Sequence, residues 1–223
     1  MAIAELAIFV RAPSEGGVKT RLAERLGDAG ARMLYEAFVS DVLSLCERVR
    51  EAGDVELALW ATEVSDPAVL GWARRLGVSA RLQPAGDLGV RMAAAFDEGL
   101  REHERVVLIG SDLPTLPFAL VVGAFDALAR ASLALGPAQD GGYYAIGAAH
   151  AARPRFDGVR WSTSSTLRDT VAANAGARVA ILPPWYDVDA PDDLEVLRAH
   201  LSTRPKAAPS TARCLFALDA AQR

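Results

Sequence analysis

The sequence predicts an α/β fold in which a mainly parallel, mixed sheet carries helices on both faces. Apolar runs rich in β-branched residues alternate with segments in which apolar residues recur every three or four positions, as in β–α–β units. The 223 residues are 51% hydrophobic and 23% charged, which suits one domain with a full core. We expect that domain over residues 1–202, followed at 203–223 by a tail that is either flexible or a small docking segment.

Seven strands are predicted from apolar runs bounded by charged residues, glycine or proline. In chain order they read AELAIFV, VELALWA, SARLQ, RVVLIGSD, ASLALGPA, YYAIG and RVAILPP. A helix between the first two strands is predicted from an apolar stripe that one helix face would bury. The stripe consists of Leu34, Phe38, Val42, Leu45 and Val49. Further helices are predicted over 66–76, 88–102, 118–130, 163–174 and 191–201.

Charge and cysteine content argue against several classes of protein. The net charge of −4 disfavours a general nucleic-acid-binding protein. Two cysteines, Cys46 and Cys214, indicate neither a disulfide framework nor a metal cluster. His103, His150 and His200 have no spacing typical of a zinc site and are expected to face solvent. Without a signal peptide or transmembrane segment, we expect a cytoplasmic protein with no membrane partner, and a homodimer is one option.

The loop after the first strand, RAPSEGGVKTRL, is the first candidate site. Ligands of open α/β sheets bind beyond the carboxyl ends of the strands. Gly16 and Gly17 allow a tight turn and close backbone approach, while Arg11, Lys19 and Arg21 supply positive charge. We interpret this segment as a phosphate-binding loop; the alternative is a solvated surface loop.

A carboxylate follows the fourth strand directly, in LIGSDLPTL. Ser111 and Asp112 come after four apolar residues, so the carboxylate is partly shielded from water and needs a compensating cation or hydrogen-bond donors. Mg²⁺ or Mn²⁺ would supply that charge, held by one or two carboxylates and by phosphate oxygens. The alternative is that Asp112 caps the next helix or anchors the turn before Pro114.

Candidate second carboxylates lie at two other strand ends. Asp140, in AQDGGYY, could act as a general base or ligate the metal. In WYDVDAPDDL, Asp187 and Asp189 project to one side if the segment is extended, and one of them could instead be a helix cap. Asp192 and Asp193 are expected in the first turn of the last helix, where the helix dipole favours acidic residues.

Six motifs occur in a fixed order between residues 3 and 201. They read RAPSEGGVKTRL, QPAGDLGVRM, LIGSDLPTL, LGPAQDGGYYAIG, WSTSSTLRDT and DVDAPDDL. This set resembles the arsenosugar-biosynthesis-type bacterial glycosyltransferases (DUF2064-like) of the GT-A nucleotide-diphospho-sugar transferase superfamily. Val90 departs from the acidic residue expected in relatives. The resemblance implies a Rossmann-like GT-A fold, with a nucleotide diphosphate across the strand ends and Mg²⁺ or Mn²⁺ on its phosphates.

The resemblance also implies a role for each motif. The implied catalytic residues are Asp112, Asp140 and Lys19, and the implied metal ligands are Asp112 and Asp189. The implied nucleotide- and phosphate-binding residues are Arg11, Gly16, Gly17, Lys19, Arg21, Gln83, Asp87, Arg91 and Ser111. The implied acceptor-binding residues are Asp140, Gly141, Gly142, Tyr143, Trp161, Ser162 and Thr163. Alternatives remain a helix cap for Asp87, a surface position for Arg91, and core positions for Trp161 and one tyrosine.

Three functions fit this set of residues. The first is metal-dependent transfer of a sugar from a nucleotide-diphospho-sugar to a small-molecule acceptor, with the charge of the departing nucleoside diphosphate stabilised by the metal and the basic loop. The second is nucleotidyl transfer, as in phospholactate and molybdopterin guanylyltransferases, with a nucleoside triphosphate as substrate and pyrophosphate as leaving group. The third is nucleotide binding without catalysis. We expect the first, because the motif set resembles the glycosyltransferases most.

Overall fold

A computed structural model describes residues 3–221, which contain one seven-stranded sheet. The strands are β1 (Ala4–Val10), β2 (Val55–Ala61), β3 (Ala80–Leu82), β4 (Arg105–Ile109), β5 (Leu133–Pro137), β6 (Tyr143–Ala149) and β7 (Val179–Ile181). Their order is β3-β2-β1-β4-β6-β5-β7. Neighbouring strands pair in parallel except at β6, which is antiparallel to β4 and β5. The predicted α/β fold and its mainly parallel, mixed sheet are confirmed.

Seven α-helices lie in the same residues, and none of them is long and apolar enough to cross a membrane. They are α1 (Thr20–Ala52), α2 (Pro67–Leu76), α3 (Leu88–Glu102), α4 (Phe118–Ala127), α5 (Thr166–Ala173), α6 (Pro191–Thr203) and α7 (Pro209–Ala221). Helix α1 is broken at Gly27, whose φ of 69° is not helical. The predicted stripe on α1 is buried throughout.

Two predicted helix boundaries were wrong by three residues, both because a tight turn replaces one helical turn. Helix α4 ends at Ala127 instead of residue 130, since the amides of Ala129 and Arg130 bond three residues back in the manner of a 3₁₀ turn. Helix α5 begins at Thr166 instead of residue 163. The Thr163 hydroxyl instead donates to the Arg160 carbonyl at 3.0 Å and holds a turn before the helix.

The helices cover both faces of the sheet. Helices α1, α2 and α4 pack on one face, around Leu6 and Ile8 of β1, and α3 packs on the other, around Ala7 and Phe9. Because side chains alternate along a strand, consecutive residues of β1 are buried in different cores. The carboxyl ends of the parallel strands are left uncovered by this packing, and the cavity described below opens there.

The segment after α6, for which a flexible tail or a small docking segment was considered, contains helix α7. Helix α7 packs against α1 and buries Leu215, which is 4% exposed. The Asp41 carboxylate of α1 accepts hydrogen bonds from the amides of Ser210 (2.9 Å) and Thr211 (2.8 Å) and so caps the start of α7.

His103 is buried, contrary to the expectation that it faces solvent. Its Nδ1 lies 3.0 Å from the Gly99 carbonyl and its Nε2 lies 3.3 Å from the Glu56 carboxylate. His103 therefore connects the end of α3 to β2, at the opposite edge of the sheet from the carboxyl ends of the strands.

Candidate functional site

A cavity of about 1170 Å³ opens at the carboxyl ends of the strands. It brings together predicted site residues from six separate segments. These are Arg11, Gly17, Lys19, Arg21, Gln83, Arg91, Ser111, Asp112, Asp140, Ser162, Thr163 and Asp189. The cavity is therefore lined by both the predicted phosphate-binding cations and the predicted metal-binding carboxylates.

The basic loop is shaped by residues with positive φ. The φ angles of Gly16 (71°), Gly17 (64°) and Lys19 (54°) are all positive. A lysine adopts a positive φ only when its surroundings hold it there. The resulting turns direct Lys19 into the molecule, where its side chain is 5% exposed. Arg11 and Arg21, by contrast, are exposed at the rim of the cavity.

Tyr35 fixes the start of the loop and was missed by the sequence analysis. Its hydroxyl accepts a hydrogen bond from the Arg11 amide at 2.8 Å and lies 3.1 Å from both the Arg11 carbonyl and Ser111 Oγ. The hydroxyl thus joins the ends of β1 and β4. The sequence signal for the burial of Tyr35 was its position next to Leu34, which belongs to the apolar stripe of α1.

Lys19 lies between the two carboxylates predicted to bind metal. Its Nζ is 2.9 Å from Asp112 Oδ1 and also forms an ion pair with Asp189 Oδ1. Burial alone would lower the pKa of Lys19, but the attraction of Asp112 and Asp189 outweighs it, so the pKa is raised. Lys19 is therefore an ammonium ion at neutral pH. The Val188 amide donates to the Asp112 carbonyl at 3.1 Å, which holds the two carboxylate segments together.

The cap of α6 is Asp193, and this leaves Asp189 available to the site. The Asp193 carboxylate accepts hydrogen bonds from the amides of Asp189 (2.9 Å) and Ala190 (2.7 Å). The sequence analysis left two roles open for Asp189, a site carboxylate or a helix cap. In the structure its carboxylate lines the cavity and does not cap α6.

Asp112 and Asp189 suit a divalent cation that binds together with phosphate. Asp112 Oδ1 is buried beside the Lys19 ammonium group, 2.9 Å away, which offsets the cost of burying this charge. The Asp112 side chain as a whole is 39% exposed, so its other oxygen is open to the cavity. No group of three or more His, Cys, Asp or Glu side chains within residues 3–221 could hold a metal. Two carboxylates with phosphate oxygens are a common site for Mg²⁺.

A second cavity, of about 250 Å³, adjoins the first and shares Asp112, Asp140 and Ser162 with it. Tyr143 and Trp161 contribute aromatic walls, and Gly142 also lines it. No lysine or arginine is present among the described residues of its lining. This smaller cavity therefore contains most of the residues predicted to bind the acceptor.

Asp187 is a third carboxylate of the smaller cavity. Burial, followed by the negative charges of Asp189 and Asp140, raises its pKa from 3.8 to about 6. The sequence analysis considered Asp187 only as an alternative to Asp189. The structure places the two on different sides of the site, with Asp189 on Lys19 and Asp187 in the smaller cavity.

Gly141 lines neither cavity, but it sets the shape of both. Its φ is 88°, and a Cβ atom there would lie 2.4 Å from Ser164 Cα, so only glycine allows the two loops to touch. Asp140 Oδ1 accepts a hydrogen bond from the Gly142 amide at 2.8 Å, which orients the carboxylate. On the facing loop, Ser162 has a φ of 56° and lines both cavities.

Three residues that were predicted to bind the nucleotide differ in what they contact in the structure. The Gln83 amide nitrogen donates to the backbone carbonyls at the ends of β1 and β2, at 3.1 and 3.0 Å, which leaves its oxygen as an acceptor. Arg91 lines the larger cavity. Asp87 lies outside both linings and accepts a hydrogen bond from the Val90 amide at 2.9 Å, so it is the cap of α3.

The sheet and its uncovered strand ends match the GT-A-like fold of the nucleotide-diphospho-sugar transferase class. Within that class, the chain belongs to the family described as "Uncharacterized protein conserved in bacteria (DUF2064)", whose model matches residues 45–163, just over half of the chain. The predicted family and superfamily are confirmed. No curated protein matches the chain.

Solved structures share this fold. A candidate nucleotide-diphospho-sugar transferase from Desulfovibrio desulfuricans G20 is similar at a TM-score of 0.87 and 35% identity, over 99% of this chain and 96% of that one. A cytidylyltransferase from Leptospira borgpetersenii serovar Hardjo-bovis has a TM-score of 0.58 and 14% identity, over 100% and 96%. A 4-diphosphocytidyl-2C-methyl-D-erythritol synthase from Anaerococcus prevotii DSM 20548 has a TM-score of 0.55 and 11% identity, over 90% and 98%. The last two share the fold alone.

Proposed function

We propose that the protein is a metal-dependent glycosyltransferase that moves a sugar from a nucleotide-diphospho-sugar to a small, unphosphorylated acceptor. The observation that carries this proposal is the division of the site into two adjoining cavities. The basic side chains of the site, Arg11, Lys19, Arg21 and Arg91, line only the larger cavity. The similarity to the Desulfovibrio protein supports the same class of donor.

The larger cavity would bind the donor. Arg11 and Arg21 at its rim would neutralise the diphosphate, together with backbone amides of the loop around Gly17. Asp112 and Asp189 would hold Mg²⁺ or Mn²⁺, whose charge stabilises the departing diphosphate. The volume of about 1170 Å³ is slightly above the usual range for ligand sites and leaves room for a nucleotide and a sugar.

The smaller cavity would bind the acceptor. Asp140 lines both cavities, so its carboxylate can take the proton of an acceptor hydroxyl as that oxygen attacks the anomeric carbon of the donor. The bond from the anomeric carbon to the diphosphate oxygen breaks, and the nucleoside diphosphate leaves. The hydrogen bond from the Gly142 amide would keep the Asp140 carboxylate oriented toward the boundary between the two cavities.

Charge favours this reaction over nucleotidyl transfer. A phosphorylated acceptor in the smaller cavity would face the carboxylates of Asp112, Asp140 and Asp187, with no described basic side chain in the lining. The negative charges of the acceptor phosphate and of these carboxylates would repel one another. A neutral or cationic acceptor meets no such penalty. The convergence of these carboxylates also argues against a protein that only binds nucleotides.

Thermal-shift measurements test the proposal. Purified protein is heated with UDP-, GDP-, ADP-, CDP- and dTDP-sugars and with the matching triphosphates, with and without Mg²⁺ or Mn²⁺, because a ligand of the folded state raises the melting temperature. We expect a diphospho-sugar to stabilise the protein only when metal is present. Asp112→Asn should abolish that shift, while Asp126→Asn, at an exposed site on α4, should preserve it.

The other two functions predict different results. Stabilisation by a triphosphate alone would favour nucleotidyl transfer, and a metal-independent response would favour simple nucleotide binding. Release of nucleoside diphosphate on addition of unphosphorylated acceptors, followed by mass spectrometry of the product, would then identify the reaction.

A further inference from the structure

The space between Asp112 and Asp189 already contains a positive charge, the ammonium group of Lys19. Nζ contacts a carboxylate oxygen of each residue, at 2.9 Å for Asp112. The left-handed backbone of Lys19, with φ 54° and ψ 47°, immediately precedes the first residue of α1. The lysine is therefore directed to this position by the backbone, and its side chain is almost completely enclosed.

A divalent ion held by the two oxygens that Nζ contacts would have to displace this ammonium group, and an ion held by the other oxygens of the two carboxylates would lie close to it. Mg²⁺ lies about 2.0 to 2.1 Å from its oxygen ligands, so it would take the place in which Nζ now contacts the same oxygens. Repulsion between the ion and the ammonium would be strong at that separation. With no group of three metal-binding side chains in the described chain, a bare ion would gain too few protein ligands to offset the loss of two ion pairs.

We propose that Lys19 is an internal counter-ion that keeps bare divalent metal out of the Asp112–Asp189 site, so that metal enters only together with phosphate. Phosphate oxygens would complete the coordination of the metal and would also give the ammonium group a new anionic partner. The Lys19 side chain already lines the cavity proposed to hold them. The identity of the phosphate ligand rests on the proposed function, whereas the exclusion of bare metal does not.

Electron paramagnetic resonance of Mn²⁺ tests the inference without any nucleotide or catalytic assay. The amplitude of the free-ion signal, followed during titration with protein, gives the Mn²⁺ affinity of wild type and of Lys19→Met. We expect Lys19→Met to bind Mn²⁺ at least tenfold more tightly than wild type. Wild type that binds bare Mn²⁺ as tightly as Lys19→Met would overturn the inference.

Matched variants separate this effect from a simple change of charge. Arg21→Met removes one positive charge from the same cavity without changing the ion pairs of Lys19. Its Mn²⁺ affinity should stay within about twofold of wild type, because Arg21 is exposed and its charge is screened by salt. The double variant Lys19→Met/Asp112→Asn should lose the tighter binding. An equal gain in Arg21→Met would refute a specific role for Lys19.

Loss of Lys19 leaves two carboxylates without their partner, so the fold is checked by circular dichroism. If Lys19→Met does not fold, Lys19→Gln provides the same comparison, because its amide can still donate hydrogen bonds to both carboxylates. A failure of the proposed function would look different. In that case no nucleotide or nucleotide-sugar would bind with Mn²⁺, while Lys19→Met would still bind the bare ion more tightly than wild type.

Discussion

Replacing Asp187 by asparagine should stabilise the protein at neutral pH and have little effect near pH 4. Asp187 is partly buried in the smaller cavity, and burial, with the charges of Asp189 and Asp140, raises its pKa from 3.8 to about 6. Because the folded state holds this proton more tightly than the unfolded state, the stability contributed by the protonated carboxyl is fully present below pH 3.8 and is lost as the pH rises through 6. Asparagine does not titrate and avoids the loss.

The size of the effect follows from the change in pKa. A shift of about two units corresponds to about 3 kcal/mol, and contact of Asp187 with solvent reduces this to about 1–2 kcal/mol. For a chain of this length, that is about 2–8 °C in melting temperature. Most of the gain should be present at pH 7 and most of it absent at pH 4.

Urea unfolding of wild type and Asp187→Asn at both pH values measures this difference directly. Asp126→Asn, at an exposed position, is the control and should change stability by no more than about 0.5 kcal/mol. If Asp187→Asn were less stable than wild type at pH 7, the Asp187 carboxylate would have to be held by favourable contacts, and the argument from burial and like charge would be wrong.

Three further substitutions test the loops and the C-terminal helix. Arg21→Ala should weaken nucleoside diphosphate binding about tenfold or more in calorimetry, as expected for loss of a charged hydrogen bond, and leave nucleoside binding unchanged; equal losses would contradict a phosphate contact. Gly141→Ala should lower unfolding free energy by about 1–3 kcal/mol in guanidinium, because its Cβ would lie 2.4 Å from Ser164 Cα; wild-type stability would contradict the loop packing. Leu215→Ala should lower the free energy of unfolding by about 2–5 kcal/mol. Phe216→Ala, at a side chain that is 72% exposed, should be nearly neutral in the same assay. Similar losses for both variants would contradict the packing of α7.

The sequence was most informative where apolar periodicity reports burial directly. Helix α3 spans Leu88–Glu102, as its pattern predicted, and all seven predicted strands are present in the described chain. Helix α7 was not predicted, because its segment shows no apolar periodicity and Leu215 is its main buried apolar side chain. Its stability depends on docking against α1 and on the Asp41 cap, which are tertiary contacts.

Most of the residues that line the two cavities were among the predicted site residues, but the sequence did not show how they pair. Lys19 and Asp189 are 170 positions apart, so no local pattern shows that their side chains form an ion pair. The basic loop suggested three phosphate-binding cations. The structure instead encloses Lys19, whose own φ is positive, and leaves Arg11 and Arg21 at the rim.

The strand directions explain why so much negative charge meets at one edge of the sheet. Every described strand except β6 ends at that edge, and β6 begins there. The β5–β6 connection therefore places Asp140 beside Asp112, and the chain leaving β7 adds Asp187 and Asp189. These carboxylates would repel one another without a cation between them. The enclosed ammonium group of Lys19 supplies such a cation between Asp112 and Asp189.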